Sequence, residues 1–228
     1  KTSLQRWQHA QQWDGGFSWW PEGPYDAYMT GYVLRGLNLA VNAGVNVPTQ
    51  LHESTYECVL TNLTEPTSNP PSLATTAWLL SAVTSYPVAS TTPLPAELQA
   101  VFTSVFSQRE KLTASSLAHL TESAYHLKRK QELPVLLRNL ENGVHSTVTA
   151  EYGVTAQWGA TGQYLDGSEG AVESTAACID VLLKVNPQHP LIAPGVAWLL
   201  LNRQSNRWTN TRETTLALLA LQNYVKTR

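Results

Sequence analysis

Apolar residues recur at every third or fourth position along most of the chain, which is the spacing of amphipathic helices rather than the alternation of strands. Prolines bound several of these runs: Pro70 and Pro71 precede the run at 73–86, and Pro87 follows it. No segment pairs convincingly with another as a β-hairpin. The pattern predicts an all-α fold of about ten helices, at 2–13, 28–41, 50–63, 73–86, 94–106, 114–127, 133–140, 172–185, 196–202 and 213–225.

One long segment departs from this pattern. Residues 145–170 contain several glycines, small polar residues and the aromatic residues Tyr152, Trp158 and Tyr164, with little apolar periodicity. This composition is typical of loops. The sequence therefore predicts an irregular connection between the helices on either side.

Three segments share one layout, in which an aromatic turn is followed by an acid and a threonine at a helix start and then by a helix rich in leucine and alanine. They are Gly16-Phe17-Ser18-Trp19 before Asp26 and Thr30, Trp158-Gly159 before Glu173-Ser174-Thr175, and Trp208-Thr209 before Glu213-Thr214-Thr215. Such a unit cannot bury its apolar face alone, so neighbouring helical hairpins must stack. The repeat predicts a solenoid or a closed ring of hairpins.

The acids and the tryptophans of these units each have a structural interpretation. Asp26, Glu173 and Glu213 are predicted to start helices, because a carboxylate there meets the positive end of the helix dipole. The tryptophans are expected to fill gaps between hairpins, with each indole N–H bonded to a loop carbonyl. The alternative is a platform for a carbohydrate or an apolar ligand, formed by Trp19, Trp20, Trp158 and Trp208.

Composition excludes several classes of protein. The 228 residues suit one large domain or two small ones, and 15 Lys and Arg against 17 Asp and Glu leave a net charge of -2. Without a basic run beyond residues 128–130, nucleic acid is not an expected partner. No apolar run reaches the roughly 18–20 residues of a bilayer span. Two cysteines are too few for a disulfide scaffold or a four-cysteine zinc site.

The sequence also lacks the clusters of acidic or metal-binding residues that catalytic and metal sites need. The four aspartates, Asp14, Asp26, Asp166 and Asp180, are all isolated, so no acidic cluster can bind magnesium diphosphate or supply an acid. A zinc site could use only Cys178, Asp180 and His189. On a helix Cys178 and Asp180 point about 200° apart, so one zinc ion cannot easily take both. The sequence predicts no catalytic, cofactor or metal site.

The sequence resembles two protein families, one over a single turn and the other over motifs at both ends of the chain. Gln11-Gln12-Trp13-Asp14-Gly15-Gly16-Phe17 resembles the glutamine-tryptophan turn of terpenoid cyclases, which leaves a ring-fold lyase or transferase of the cyclase or prenyltransferase type as an alternative function. Longer motifs occur at both ends of the chain. They are Leu4-Gln5-Arg6-Trp7-Gln8-His9-Ala10-Gln11-Gln12-Trp13 with its turn, Ala156-Gln157-Trp158, Val172-Glu173-Ser174-Thr175-Ala176-Ala177, Val196-Ala197-Trp198-Leu199 and Asn206-Arg207-Trp208-Thr209.

Together these longer motifs resemble the thioester-containing helical domain of the α2-macroglobulin and complement family, especially its bacterial branch. The resemblance implies an α/α toroid of six helical hairpins. Ten helices make five hairpins, so we expect residues 1–228 to form one toroid domain that lacks its first hairpin and is excised from a longer multidomain protein. It also implies an endopeptidase inhibitor of the periplasm or cell envelope, which traps proteases, contacts neighbouring domains and is not an enzyme.

The thioester of this family is not expected within the chain. Family members form it from a Cys-x-Glu-Gln segment, but Cys58 is followed by Val59-Leu60-Thr61 and Cys178 by Ile179-Asp180-Val181. The motif is therefore expected upstream of Lys1, or absent from the parent protein. Complement-type members also place a histidine near the loop matching 64–72, and no histidine lies between Glu53 and Ala118. Any upstream thioester is thus expected to prefer amines to hydroxyls.

Overall fold

A computed structural model describes residues 3–65, 70–86, 94–151, 153–159 and 170–228. In these residues the chain forms ten α-helices, one short 3-10 helix (Arg109–Lys111) and one antiparallel hairpin. The helices are α1 (Ser3–Ala10), α2 (Ala27–Asn42), α3 (Thr49–Thr64), α4 (Leu73–Thr84), α5 (Glu97–Ser107), α6 (Ala114–His126), α7 (Glu132–Asn142), α8 (Ala171–Val185), α9 (Ile192–Leu201) and α10 (Thr211–Lys226). The predicted all-α fold class and its ten helices are confirmed. No helix in the described part has the length and apolarity needed to cross a bilayer.

The hairpin of β1 (His145–Thr149) and β2 (Gly153–Gln157) shows that two predictions are wrong: that the first part of the segment 145–170 is irregular, and that the chain has no strand pair. β1 is almost wholly exposed, so it lacks the alternation of polar and apolar residues by which a half-buried strand is recognised in a sequence. Tyr152, Tyr164 and Asp166 lie outside the described residues.

Four of the helices begin at a polar residue whose side chain accepts a hydrogen bond from the backbone N–H three residues later. They are α2, α4, α6 and α10, capped by Asp26, Ser72, Thr113 and Asn210. Such a cap satisfies one of the N–H groups that have no partner inside the helix. Local sequence therefore fixes where these helices start.

The chain divides into two compact units, Lys1–Arg109 and Glu110–Arg228. In the first unit α2 lies beside α4, and α3 contacts both of them. One hydrophobic cluster of this unit is formed by Phe17, Val33, Leu37 and Leu51, against which Leu4 and Trp7 of α1 pack. This cluster therefore joins α1, α2, α3 and the turn before α2.

In the second unit α8 lies between α6 and α10, while α7 contacts α6 and α9 contacts α8. The strand β2 packs against α9 and α8. Alternate helices are therefore neighbours within each unit, and the intervening helices pack against them. This is the stacking of helical hairpins that the sequence repeat predicts.

Candidate functional site

A fastened turn, residues 11–26, connects α1 to α2. Gln11 Nε2 lies within hydrogen-bonding distance of four acceptors, the carbonyl oxygens of Gly15 and Leu51 at 3.3 Å each and the hydroxyls of Ser54 at 2.9 Å and Thr55 at 3.0 Å. Gln12 Nε2 donates to the Gly23 carbonyl at 2.8 Å. Asp14 Oδ1 accepts from the Gly16 N–H at 2.9 Å. The motif that resembles a cyclase turn thus holds this loop against α3.

The same turn presents three tryptophans to solvent. Trp13 is 98% exposed, Trp19 59% and Trp20 62%, whereas Trp158 and Trp208 are 0% and 1% exposed. A ligand platform could therefore not use Trp158 or Trp208, and that part of the alternative interpretation is wrong. We call these three exposed residues, Trp13, Trp19 and Trp20, the indole surface.

A stack of aromatic rings supports one member of the indole surface. The ring centroids of Trp19 and Tyr28 are 6.4 Å apart, and those of Tyr28 and Trp78 are 5.5 Å apart. The guanidinium carbon of Arg35 lies 5.5 Å from the centroid of the Trp78 ring. The stack connects the loop to α2 and α4, so Trp19 has a partner ring in the folded unit.

Each of the three sequence repeats forms the same hydrogen bond, which we call the threonine clasp. In it, the backbone N–H of a buried aromatic residue donates to the hydroxyl of a threonine in the first turns of the following helix. The pairs are Phe17 with Thr30 at 2.9 Å, Trp158 with Thr175 at 3.0 Å, and Trp208 with Thr214 at 3.0 Å. The repeat is therefore structural. In the first repeat the buried aromatic is Phe17, not the Trp19 that the pattern of tryptophans suggests.

Both buried indoles satisfy their N–H groups. Trp158 Nε1 donates to the Leu140 carbonyl at 2.7 Å, and Trp208 Nε1 donates to the Leu199 carbonyl at 3.0 Å. The predicted bond to a carbonyl is confirmed, but the acceptor lies in the last turn of α7 or α9 and not in a loop. The carbonyls of a last helical turn have no intrahelical donor, so they are free to accept.

Replacing Thr175 with valine is expected to lower the free energy of unfolding by about 1–3 kcal/mol, because the buried N–H of Trp158 loses its acceptor. Thr215→Val is the matched control, since the Thr215 hydroxyl bonds the carbonyl of Thr211 within its own helix. Urea unfolding of both variants measures the difference. Equal losses would contradict a role for the clasp.

The three acids predicted to start helices do so, in two ways. Asp26 caps α2, and its Oδ1 accepts from the Met29 N–H at 2.7 Å. Glu173 and Glu213 lie in the first turns of α8 and α10 and are buried. Glu173 also pairs with Arg212, which joins α8 to α10. The ion pair with Arg212 therefore explains why the carboxylate of Glu173 can be buried.

The residues considered for a zinc site have separate partners. Cys178 Sγ lies 3.8 Å from the Ala114 carbonyl, and His189 Nε2 lies 2.9 Å from Glu141 Oε1. Asp180 accepts from Lys184 at 2.9 Å, and Lys184 also pairs with Glu122 of α6. Within the described residues no group of three histidine, cysteine or acidic side chains could hold a metal ion.

A buried polar network joins α2, α3 and α4. His52 Nε2 lies 2.7 Å from Asn38 Oδ1, and Asn38 Nδ2 donates to the Ala82 carbonyl at 2.9 Å. The imidazole also packs against Tyr86, with ring centroids 4.4 Å apart. Burial lowers the pKa of His52 below its usual value. The imidazole is therefore held neutral in the folded protein at neutral pH.

Lowering the pH from 7.5 to 5 is expected to reduce the free energy of unfolding, partly through His52. Because the pKa of His52 is lower in the folded protein than in the unfolded chain, the unfolded chain binds more protons as the pH falls. In His52→Gln the loss should be smaller, whereas His145→Gln in the exposed strand β1 should match the wild type. Urea unfolding at the two pH values checks this, and parallel losses in all three proteins would contradict it.

The fold was compared with known proteins. Neither a family model nor a curated protein matches the sequence. The solved structures that match it include Salmonella alpha-2-macroglobulin reacted with methylamine, at 16% identity and a TM-score of 0.73 over 96% of this chain and 14% of that one. They also include an Escherichia coli alpha-2-macroglobulin fragment from domain MG7 to the C-terminus (16%, 0.68, 96% and 33%) and trypsin-activated Escherichia coli alpha-2-macroglobulin (16%, 0.67, 99% and 14%).

This chain has the fold of a segment of bacterial alpha-2-macroglobulin. The match extends over nearly the whole chain, and the predicted resemblance is confirmed at the level of the fold. In the Escherichia coli fragment the matched segment lies between domain MG7 and the C-terminus, because that structure contains nothing else. The chain spans 14% of the length of the Salmonella protein and 33% of that fragment.

Neither cysteine of this alpha-2-macroglobulin-like segment is set up as a nucleophile. Both are free thiols and both are buried. Burial, with a smaller contribution from the charge of Asp14, raises the pKa of Cys58 to about 12. The thiol of Cys58 is therefore protonated at neutral pH, and only a thiolate attacks readily.

The exposure of the tryptophans in the indole surface was predicted less well from the sequence than the other features of this segment. Trp19 was expected to fill a gap between hairpins, which is wrong because it is exposed, and the full exposure of Trp13 was not predicted. One sequence signal could have indicated it. Trp13 lies between two polar residues, Gln12 and Asp14, in a glycine-containing turn, where a side chain has no apolar neighbours along the chain.

Proposed function

We propose that this chain is the helical domain of an alpha-2-macroglobulin-like endopeptidase inhibitor, and that it acts as an interaction scaffold rather than as an enzyme. The observation that supports the proposal most strongly is the fold match over 96% of the chain at a TM-score of 0.73. One of the matching structures is an alpha-2-macroglobulin activated by trypsin. A protease is accordingly the proposed partner of the parent protein.

We further propose that residues 1–228 form one α/α toroid. Two features of the units support this arrangement. Alternate helices are neighbours, as in α2 with α4 and in α8 with α6 and α10, and the threonine clasp recurs before α2, α8 and α10. A hairpin repeated with steady rotation closes into a ring. In a six-hairpin ring of the kind that the family resemblance implies, these helices would supply five hairpins.

The proposed role of this domain is to shield a thioester and to contact neighbouring domains. The contexts of Cys58 and Cys178 lack Glu-Gln, and both thiols are buried. Neither cysteine therefore has the family's thioester context; where the parent protein has a thioester, the family resemblance implies a segment upstream of this chain. The proposed location, the periplasm or cell envelope, follows from the same family resemblance.

Incubating the parent protein with trypsin tests the proposed function. We expect active trypsin to co-elute with the parent on size-exclusion chromatography. Trypsin whose active-site serine has been blocked is the control, and it should elute alone, because trapping requires cleavage of the trap. Co-elution of neither form, or of both forms equally, would contradict protease trapping.

The acceptor preference of an upstream thioester gives a second test. With no histidine between Glu53 and Ala118, we expect the parent to incorporate methylamine in preference to glycerol. The Salmonella protein in one of the matching structures has been reacted with methylamine. Mass spectrometry measures the adducts, and equal incorporation of the two probes would overturn the preference.

A further inference from the structure

The indole surface belongs to a loop that is held in place throughout its length. The Asp26 N–H donates to the Phe17 carbonyl at 2.9 Å, and the Ser18 hydroxyl donates to the Trp20 carbonyl at 2.6 Å. The Gly23 N–H donates to the same Trp20 carbonyl at 3.0 Å. Together with the bonds of Gln11 and Gln12, these contacts fix the backbone beneath the indoles. Exposure of the tryptophans is therefore a property of the folded loop.

Three of the eight tryptophans of the chain thus lie in one eight-residue stretch on the outside of the first unit. Single exposed apolar side chains are ordinary in soluble proteins, but clustered large ones mark binding surfaces. Tryptophan is also enriched among the residues that contribute most to protein interfaces. The indole surface is accordingly a candidate docking site.

The charge around the indole surface selects the chemistry of the partner. Residues 10–34 contain no lysine, arginine or histidine, and of the two flanking bases, His9 and Arg35, the second packs on Trp78 within the aromatic stack. Asp14 and Glu22 are exposed, and in the sequence they lie next to Trp13 and two residues after Trp20. Because indole faces and carboxylates both attract cations, the two kinds of group act together on a basic side chain. A neutral sugar can donate hydrogen bonds to the carboxylates but lacks the positive charge that both kinds of group attract, and an apolar partner would have to desolvate the carboxylates.

The chain itself shows how a guanidinium packs on its aromatic rings. Arg35 lies over Trp78 at 5.5 Å, Arg109 over Phe106 at 4.6 Å and Arg228 over Tyr224 at 5.0 Å from the ring centroids. Arginine stacks on aromatic faces better than lysine does, because its cation is planar and more weakly hydrated. An arginine from outside could occupy the same position on an exposed indole.

We propose that Trp13, Trp19 and Trp20, with Asp14 and Glu22, form a docking surface for a basic protein segment whose arginine side chains stack on the indoles. The surface lies entirely within the first unit. The inference is independent of the proposed function, because it needs neither a thioester nor a protease. A lysine-rich segment should bind the same surface more weakly.

The test uses the full 228-residue chain and a fluorescein-labelled octa-arginine peptide, with binding followed by fluorescence anisotropy. We expect saturable binding that weakens as salt rises, and weaker binding of octa-lysine. Each of Trp13→Ala, Trp20→Ala and Glu22→Gln should lower the affinity about two- to fivefold. Glu22→Lys should lower it further, and circular dichroism verifies that every variant is folded.

Two variants elsewhere serve as matched controls. Tyr125→Ala removes an exposed aromatic ring of the second unit, and Glu97→Gln removes an exposed carboxylate at the start of α5. Neither should change the affinity for octa-arginine. If the controls lower the affinity as much as the surface variants do, binding is a general effect of negative charge and the proposal is overturned.

Other occupants of the surface would also be detected. Binding to a glycan array that is lost in Trp20→Ala, with octa-arginine affinity unchanged in that variant, would show a carbohydrate surface and overturn the proposal. Dimerisation in sedimentation experiments that is abolished by Trp13→Ala would overturn it in favour of a second copy of the chain. A monomer that binds octa-arginine through the indoles supports it.

Discussion

Replacing Trp158 with alanine should lower the free energy of unfolding by about 3–5 kcal/mol, the usual cost of removing a large buried aromatic side chain. The side chain of Trp158 is fully buried, and its Nε1 donates to the Leu140 carbonyl at 2.7 Å. Truncation would leave a cavity and remove the donor to that carbonyl. Urea unfolding monitored by circular dichroism measures the loss.

Trp13→Ala is the matched control for that experiment, since it removes the same side chain from a position that is 98% exposed. Its effect should stay within about 0.5 kcal/mol of the wild type. The comparison distinguishes a buried tryptophan that stabilises the fold, Trp158, from an exposed one that is available to a partner, Trp13. A loss below about 1 kcal/mol for Trp158→Ala, or equal losses in both variants, would contradict the assignment.

Gly15→Ala should be the most damaging change in the fastened turn, with a loss above about 3 kcal/mol. Gly15 has a φ of +87°, which an L-residue adopts only with strain. An added Cβ would also overlap the carbonyl oxygen of Ser54 and lie 2.7 Å from its carbonyl carbon. Since both obstacles are backbone atoms, α3 and the turn would have to separate.

Gly44→Ala is the control, because Gly44 has a φ of +76° but no atom within 4 Å of an added Cβ. The free energy of unfolding of Gly44→Ala should fall only by the cost of the backbone strain, about 1–2 kcal/mol. Thermal and urea unfolding of the two variants separate strain from overlap. If Gly15→Ala is no less stable than Gly44→Ala, the turn does not approach α3 as closely as described.

The sequence predicts most of the helices well because their apolar residues recur at helical spacing, so that the period is visible along the chain. The predicted ends are less accurate. Helix α9 begins at Ile192 rather than at 196, since Pro194 falls in its first turn, where a missing N–H costs no hydrogen bond. Helix α1 ends at Ala10, three residues before the predicted end, where Gln11 begins the turn.

The hairpin could not be predicted in the same way. Both Val148 and Val154, which face each other across it, are exposed, so packing against the core imposes no pattern on β1. A five-residue strand also carries little periodicity of its own, even though its pairing partner is the next element in the chain.

The threonine clasps were not predicted from the sequence, although the recurrence of an aromatic residue before a threonine is visible in it. In the third repeat the sequence offers both Thr214 and Thr215, and only the structure shows that Thr214 bonds Trp208. In the first repeat Phe17 and Trp19 both fit the pattern, and only the core of Val33, Leu37 and Leu51 decides that Phe17 is buried. Which of two neighbouring aromatics lies inside depends on tertiary packing.

One measurement distinguishes a protease trap from a ring-fold enzyme or a simple binding module. The parent protein, saturated with trypsin, is assayed on a small chromogenic peptide and on a large protein substrate. We expect the peptide to be hydrolysed nearly as fast as by free trypsin and the protein substrate to be largely protected, because a large protein held on trypsin blocks the approach of large substrates more than that of small ones. Equal hydrolysis of both substrates, at the rates of free trypsin, would contradict the proposed function.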